Sequence, residues 1–232
     1  MKRFFAEEIQ DQTAILSKDE LHHCIHVLRV KHQETVEIID GLGNLWTAEV
    51  NFISKKQVHI VIKEQLSINA TNLVQCSLAV AMTKNIDRIE WLIEKATEIG
   101  LKEFYPLITH RTERNHLRLD RLEKVALSAT KQSKRLWKPT IHSPITFQDF
   151  VHKADFKQKY IAHCENDNNK IHLQDVLERD KSSIILIGPE GDFTSDEISL
   201  ALQNKYQAVS LGDARLRVET AALVSCVMMN TI

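Results

Sequence analysis

Apolar and polar positions along the chain follow two regimes that change over near residue 70. In the first, short runs of β-branched and apolar residues at 35–40, 45–52 and 58–63 predict strands. Gly41-Leu42-Gly43-Asn44 and Ser54-Lys55-Lys56-Gln57 lie between them as turns. One helix interrupts this pattern. Ser17-Lys18-Asp19-Glu20 has the form of a capping box, in which the Ser side chain takes one free N–H and the Glu reaches back to another. Leu21, Cys24, Ile25 and Leu28 then follow at helical spacing. The expectation is a small β-barrel or sheet with a single helix.

Polar residues at 67–72 read as a linker, which puts the domains at 1–70 and 73–232. The run 74–82 is apolar enough for a strand buried on both faces. Asp87-Arg88-Ile89-Glu90 is the expected cap of the next helix. Ile86, Ile89, Leu92, Ile93, Ala96 and Ile99 keep a 3.6-residue period along it, up to Gly100, where a helix end favours a left-handed residue. Further strands are expected at 104–108, 159–163, 183–187 and 208–211, with helices at 120–136, 171–178 and 194–204. The last of these helices opens on a capping box, Thr194 to Glu197. The final helix, from Ala221, is apolar on almost every side and so is expected to be buried. Strands and helices that alternate in this way predict an α/β domain on a parallel sheet.

Composition narrows the class. With 43% apolar residues in 232, the chain can bury a real core, and no apolar run approaches the roughly 20 residues of a membrane helix. The amino end lacks the apolar segment of a signal peptide. Cys24, Cys76, Cys164 and Cys226 form no Cys-x-x-Cys pair, so they read as reduced thiols, and a cytoplasmic protein is expected. Net charge is −1, but from 110 to 138 nine Lys and Arg face three acids, a local +6. Such a block is the footprint of a phosphate-rich partner, or else an ordinary solvated helix face. His22 and His26 lie four apart on one expected helix, yet with no third ligand in sight a metal site is not expected.

Candidate chemistry concentrates near the carboxyl end. Gly188-Pro189-Glu190-Gly191-Asp192-Phe193 and the stretch from Leu211-Gly212 to Ala221 each follow an expected strand and lead into a helix. Two such loops share one edge of a parallel sheet, where open α/β folds bind small ligands. The glycines there either give a ligand's backbone contacts room or merely turn the chain. Neither loop carries a Gly-Lys-Ser/Thr ending or a Gly-x-Gly-x-x-Gly, which disfavours a nucleoside triphosphate or a nicotinamide cofactor.

These motifs resemble the RsmE-type methyltransferases of the SPOUT superfamily, and the resemblance spans essentially the whole chain. It rests on His22-His23 with Val27-Leu28-Arg29, and on Lys84, Arg88, 94–100, Pro106, Arg111 and 131–133 with Arg135 and Pro139. Gly188 to Gly191 with Phe193 and Glu197, and Leu211-Gly212 with Leu216-Arg217 and Glu219-Thr220-Ala221, complete it. Two positions depart from the family, which usually has Gly where Asp192 stands and Thr where Val218 stands. Asp tolerates a left-handed backbone better than most residues, though less well than Gly.

The resemblance implies an amino-terminal PUA-like barrel, a carboxyl-terminal α/β domain with a trefoil knot, and a homodimer. It also implies S-adenosylmethionine as methyl donor and N3 of a uridine in 16S ribosomal RNA, within the small subunit, as acceptor. Ile187, Gly188, Pro189, Glu190, Gly191, Leu211, Gly212 and Leu216 would hold the cofactor, although Glu190 could equally serve its own loop. Uridine N3 carries a proton, so transfer requires a base or cations that stabilise the resulting anion. Arg217 is the candidate for the anion, with a salt bridge or helix-end contact as the plainer alternative, and Glu219 is the candidate base. Arg3, His22, Arg29 and Lys31 on the small domain, with Arg88, Arg111 and Arg135 on the large one, are the expected RNA contacts. A superfamily member acting on a ribose 2′-OH, or a non-catalytic RNA-binding assembly factor, would share much of this pattern.

Overall fold

The structure, a computed structural model, describes residues 1–54, 57–66, 76–113, 117–165 and 170–231. The expected linker at 67–72, the start of the strand at 74, Lys55 and Lys56 of one turn, and Arg114 and His116 lie outside them. The chain divides into unit 1, Met1–Thr71 with Thr130–Lys138, and unit 2, Asn72–Ala129 with Pro139–Ile232.

Unit 1 is a closed barrel of five strands: β1 (Arg3–Gln10), β2 (Thr13–Leu16), β3 (Thr35–Ile39), β4 (Leu45–Ser54) and β5 (Gln57–Leu66). Their order is β1-β2-β5-β4-β3, and the parallel pairing of β1 with β3 closes it. Closure leaves no unpaired edge. Strands β1 and β2 have no counterpart among the expected runs. Glu7 and Glu8 stand on the outer side of β1, where a bulge between Ala6 and Glu8 breaks the alternation. The turn is Asp11-Gln12, both left-handed at φ +45° and +62°, as a two-residue hairpin loop demands, but without the usual glycine. Inside lie Phe4, Ala6, Ala14, Cys24, Val36, Ile38, Ala48, Val50 and Ile60.

The expected helix divides into α1 (Lys18–His22) and a π-helical turn, His23–Val27. Ser17 caps α1 by accepting the Glu20 N–H, but Glu20 does not complete the box. Its carboxylate, on a residue only 4% exposed, accepts the Phe5 N–H of β1 at 2.9 Å and pairs with the Lys131 ammonium. The helix thereby docks on the barrel through one buried acid.

Unit 2 is an eight-stranded sheet whose pairings are all parallel. In chain order the strands are β6 (Cys76–Ala81), β7 (Glu103–Ile108), β8 (Thr140–Ile141), β9 (Ile145–Thr146), β10 (Gln158–Ala162), β11 (Ile171–His172), β12 (Ser183–Ile187) and β13 (Gln207–Ser210). They lie side by side as β11-β13-β10-β12-β6-β7-β8, with β9 also on β7. Helices α2 (Ile86–Ile99), α3 (Leu119–Gln132), α5 (Leu173–Val176) and α7 (Val218–Asn230) send side chains into the core on one face. Helices α4 (Phe147–Lys153) and α6 (Ser195–Gln203) cover the other. Alternate residues of β12 serve the two cores, Ile185 and Ile187 one and Ile184 and Leu186 the other. That division is why the central strands read as unbroken apolar runs.

Several helix ends differ from expectation. Asn85, not the Asp87 turn, caps α2 by accepting the Asp87 N–H at 2.9 Å. Helix α3 stops at Gln132 rather than 136, because Lys134 turns left-handed at φ +58° and the Arg135 N–H returns to the Thr130 carbonyl. The expected helix at 171–178 is only one turn, since Ile171–His172 pairs instead with Val209–Ser210. Helix α7 starts at Val218 and buries one face, with Ala222, Ser225, Cys226 and Met229, against α2, β6 and β12. Its other face is not buried within the chain: Leu223 and Val224 are half-covered and Val227 is exposed. In the buried seam the free Cys76 thiol is held well above its usual pKa by hydrogen bonding with the neighbouring Cys226 thiol and by burial, which disfavours the reactive thiolate.

Removing one member of a buried ion pair strands the other, at a cost of about 3–5 kcal/mol. Glu20→Ala is therefore expected to lower barrel stability by about 3 kcal/mol in urea unfolding followed through Trp46 of β4. A loss under about 1 kcal/mol would match a solvated surface pair instead.

Candidate active site

Three neighbouring strands of unit 2, β13, β10 and β12, end on the same edge, and the loops that follow them line one cleft of about 1010 Å³. Its wall runs through Ile187 to Glu190 and Asp192 after β12, and Leu211 to Arg217 after β13. His163, Cys164, Glu165 and Lys170 add the loop after β10, and Arg88 of α2 reaches in from the side. The two glycine-bearing loops expected from the sequence do meet here. The β10 loop as a third wall had no signal in the sequence beyond its place after a strand.

Side chains lace these loops together. Asp192 is left-handed at φ +65°; its carboxylate accepts the Cys164 N–H at 2.7 Å and the Phe193 N–H at 2.8 Å. Asp192 thus holds a left-handed backbone and ties two loops together. Arg111 donates to the Gly191 carbonyl and, at 3.4 Å, to that of Phe193. Glu197 accepts the Thr194 N–H, which completes the expected capping box, and also the His110 N–H at 2.8 Å. Glu190 accepts the Lys84 N–H at 3.4 Å, and Lys170 donates to the His163 carbonyl at 2.8 Å.

The glycines serve this loop differently from the expected freedom of φ. Gly188 and Gly191 are not left-handed. A Cβ on Gly188 would lie 3.1 Å from the ring and backbone nitrogen of buried Phe193, so the residue is needed for close packing. Gly212 is the left-handed one, at φ +117°, and a Cβ there would meet no described atom within 4 Å. Its loop faces open space.

Arg217 and Glu219 flank the start of α7. Arg217 occupies the cap position without a side-chain cap bond, and its side chain is exposed along the cleft wall. Glu219 is 8% exposed; its Oε1 lies 3.7 Å from Arg88 Nε, and its Oε2 is buried with no hydrogen-bond partner among the described residues. A buried carboxylate oxygen without a donor is costly, and a ligand N–H would relieve it.

The expected RNA contacts divide unevenly. His22, Arg29 and Lys31 are exposed on unit 1 around the π-helical turn. Arg135, expected on the large domain, is grouped by its contacts with unit 1. Arg3 is committed elsewhere: its side chain is 10% exposed and paired to Glu37 at 2.8 Å, with a further bond to the Lys134 carbonyl. Arg111 holds the cofactor-type loop as described, and Arg88 faces Glu219. Of the basic block, Arg118 pairs with Asp120 and Arg121 with Glu90. Among the described residues no group of three or more His, Cys, Asp or Glu is placed to hold a metal, and no helix is long and apolar enough to cross a membrane.

Comparison with known proteins covers the whole chain. The model of an RNA methyltransferase domain matches residues 70–230, and that of an RNA methyltransferase PUA domain matches 16–63. The ribosomal RNA small subunit methyltransferase E of Rickettsia conorii is 33% identical over 212 residues, spanning 91% of this chain and 86% of that protein. Its counterpart in Synechocystis is 31% identical over 231 residues, spanning 97% and 75%. Among solved structures, a probable rRNA-methyltransferase from Porphyromonas gingivalis aligns with a TM-score of 0.90 at 32% identity, over 97% of this chain and 95% of that one. A ribosomal RNA small subunit methyltransferase E from Neisseria gonorrhoeae bound to S-adenosyl methionine gives 0.86 at 26% identity, over 100% and 97%.

Asp192→Gly and Asp192→Ala both remove the carboxylate, but only Ala keeps a Cβ in the left-handed region. The Ala variant is expected to be about 1 kcal/mol less stable than the Gly variant in chemical denaturation. Equal stabilities would mean the loop does not hold this backbone in solution.

Proposed function

The chain belongs to the RNA methyltransferase family that includes the ribosomal RNA small subunit methyltransferases E, and from that membership we propose that it methylates N3 of a uridine in 16S ribosomal RNA with S-adenosylmethionine as donor. The observation that carries this reading is the three-loop cleft, walled in part by Arg88 and Arg217, with the bare buried carboxylate of Glu219 in the smaller cleft that shares those two arginines. The cleft suits such a donor. It offers backbone groups of 187–190 and 211–216 to an adenosyl moiety, and it mixes Arg88, Lys170 and Arg215 with Glu165, Glu190 and Asp213 around a zwitterionic tail.

S-adenosylmethionine supplies an electrophilic methyl carbon whose bond to sulfur breaks with the electron pair left on a neutral thioether. The chain must provide everything else: alignment, exclusion of water, and removal of the N3 proton. On this reading Glu219 Oε2, buried without a hydrogen-bond partner among the described residues, takes that proton. Arg217 and Arg88, on the same reading, balance the negative charge that spreads over O2, N3 and O4, and that lowers the cost of deprotonation. Ile187, Gly188, Pro189, Glu190, Gly191, Leu211, Gly212 and Leu216 hold the donor. His22, Arg29, Lys31 and Arg135 grip phosphates from unit 1, while Arg88 and Arg111 act at the cleft, and the target base is extruded to reach it. Arg3 contributes through the barrel rather than by direct contact. The half-covered face of α7 joins two copies into a homodimer. Family membership supports, as part of the same reading, a knotted α/β domain and a cytoplasmic place beside the small subunit.

The deciding experiment is transfer of labelled methyl from S-adenosylmethionine to small-subunit RNA, with the product nucleotide mapped by mass spectrometry. The expected product is 3-methyluridine. A 2′-O-methylated nucleotide, or no transfer at all, would overturn the reading. Arg217→Ala is expected to keep the fold and cofactor affinity and to lower the transfer rate about 100- to 1,000-fold, in the range found for lost anion-stabilising donors. Undiminished turnover would remove Arg217 from the chemistry.

A further inference from the structure

Beside the main cleft lies a smaller one of about 330 Å³, formed by Asp87, Arg88, Trp91, Arg217, Glu219 and Thr220. The two clefts share Arg88 and Arg217. The volume is at the low end for a small-molecule pocket, about 300–1,000 Å³, and suits one planar ring rather than a whole cofactor. Trp91 stands out on this wall. Helix α2 buries Ile89, Leu92, Ile93 and Ala96, yet its indole is left 43% exposed, one turn beyond Asp87 and Arg88. Across the same cleft Glu219 presents the opposite case, a polar side chain taken out of water with one oxygen bare. An exposed indole and a buried, donor-hungry carboxylate in one small cleft call for a ligand with a flat apolar face and an N–H on its edge.

We propose that Trp91 is the stacking platform on which the acceptor base lies during methyl transfer, and that the Arg88–Glu219–Arg217 edge selects uracil over cytosine. The proposal rests on the reading of the preceding section and extends it to the acceptor's seat. The Watson–Crick edge of uracil runs acceptor, donor, acceptor: O2, N3–H and O4. Two guanidiniums with a carboxylate among them are its complement. Cytosine would turn an N3 lone pair toward Glu219 and an amino group toward a guanidinium, two mismatches in one pocket. Sites built to satisfy hydrogen bonds reject such analogues strongly, because their own buried groups are left unpaired. Stacking on an aromatic side chain adds affinity for any base, so the indole supplies the hold and the charged edge the choice.

The test uses the full chain, small-subunit RNA carrying the mapped nucleotide, and the variants Trp91→Ala and Trp91→Phe. Single-turnover transfer is expected to fall roughly tenfold to a hundredfold with Ala and to return to within about threefold of wild type with Phe, as for one lost and one restored stacking contact. S-adenosylmethionine affinity by calorimetry and oligomeric state by light scattering are expected to stay unchanged. RNA in which the target uridine is replaced by cytidine is expected to receive no methyl group there. A fully active Trp91→Ala overturns the platform, as does a Phe variant no better than Ala. Rate loss that tracks dissociation of the protein would show that the indole is covered by a second copy of this chain instead. Wild-type protein that methylates no uridine sinks the preceding reading, a result distinct from any of these.

Discussion

A chain leaving the end of a buried parallel strand carries N–H and C=O groups that no ladder can satisfy, and unit 2 meets that deficit with charged side chains. Asp192 takes the amides of Cys164 and Phe193, Arg111 takes the carbonyls of Gly191 and Phe193, and Glu197 takes the amides of Thr194 and His110. Hydrogen bonds to ionised groups are about twice as strong as neutral ones. The loops after β7, β10 and β12 therefore brace one another, with the Phe193 ring packed on Gly188 beneath them. A ligand that enters this cleft meets walls already set, and little ordering entropy is left to lose on binding.

The loop after β13 is built to a different rule. Gly212 is left-handed, a Cβ on it would meet no described atom within 4 Å, and residues 212–215 are all exposed. One side of the cleft is braced by charged side chains and the other is exposed until α7 begins. Between them stand Arg88 and Arg217, common to both clefts. On the proposed reading the same two cations border the donor and the acceptor, so the anion created on one is balanced where the other delivers its methyl group.

How much of this was legible in the residues depends on the range of the interaction. The parallel sheet was legible because strands buried on both faces must be apolar throughout, as 183–187 is. The Thr194–Glu197 box was local and formed as expected, whereas the Ser17–Glu20 box had the same signature and only half formed. Glu20 found stronger partners in Phe5 and Lys131, the latter 111 residues away, and no local rule contains that choice. Strands β1 and β2 were hidden by Glu7, Glu8 and a glycine-free turn. That Arg111 also ties down the carbonyls of Gly191 and Phe193 could not be read locally, because they lie 80 and 82 positions along the chain. The left-handed backbone at Asp192 was foreshadowed by the glycine expected there from the family resemblance; its carboxylate's grip on Cys164 was not.

Strand order also governs how the molecule is born. Strand β6 is bordered by β7, made soon after it, and by β12, whose Ser183–Ile187 pairs with Cys76–Val80 across more than a hundred intervening residues. A ribosome delivers the chain from its amino end, so one flank of this fully buried strand stays open while β7, β10 and their helices emerge. Helix α7, which roofs β6, arrives last of all. The barrel strands, by contrast, are contiguous and need only Thr130–Lys138 from later in the chain. Unpaired apolar edges that wait on distant partners are where nascent proteins aggregate, and chaperone demand in this protein falls on the sheet rather than on the barrel.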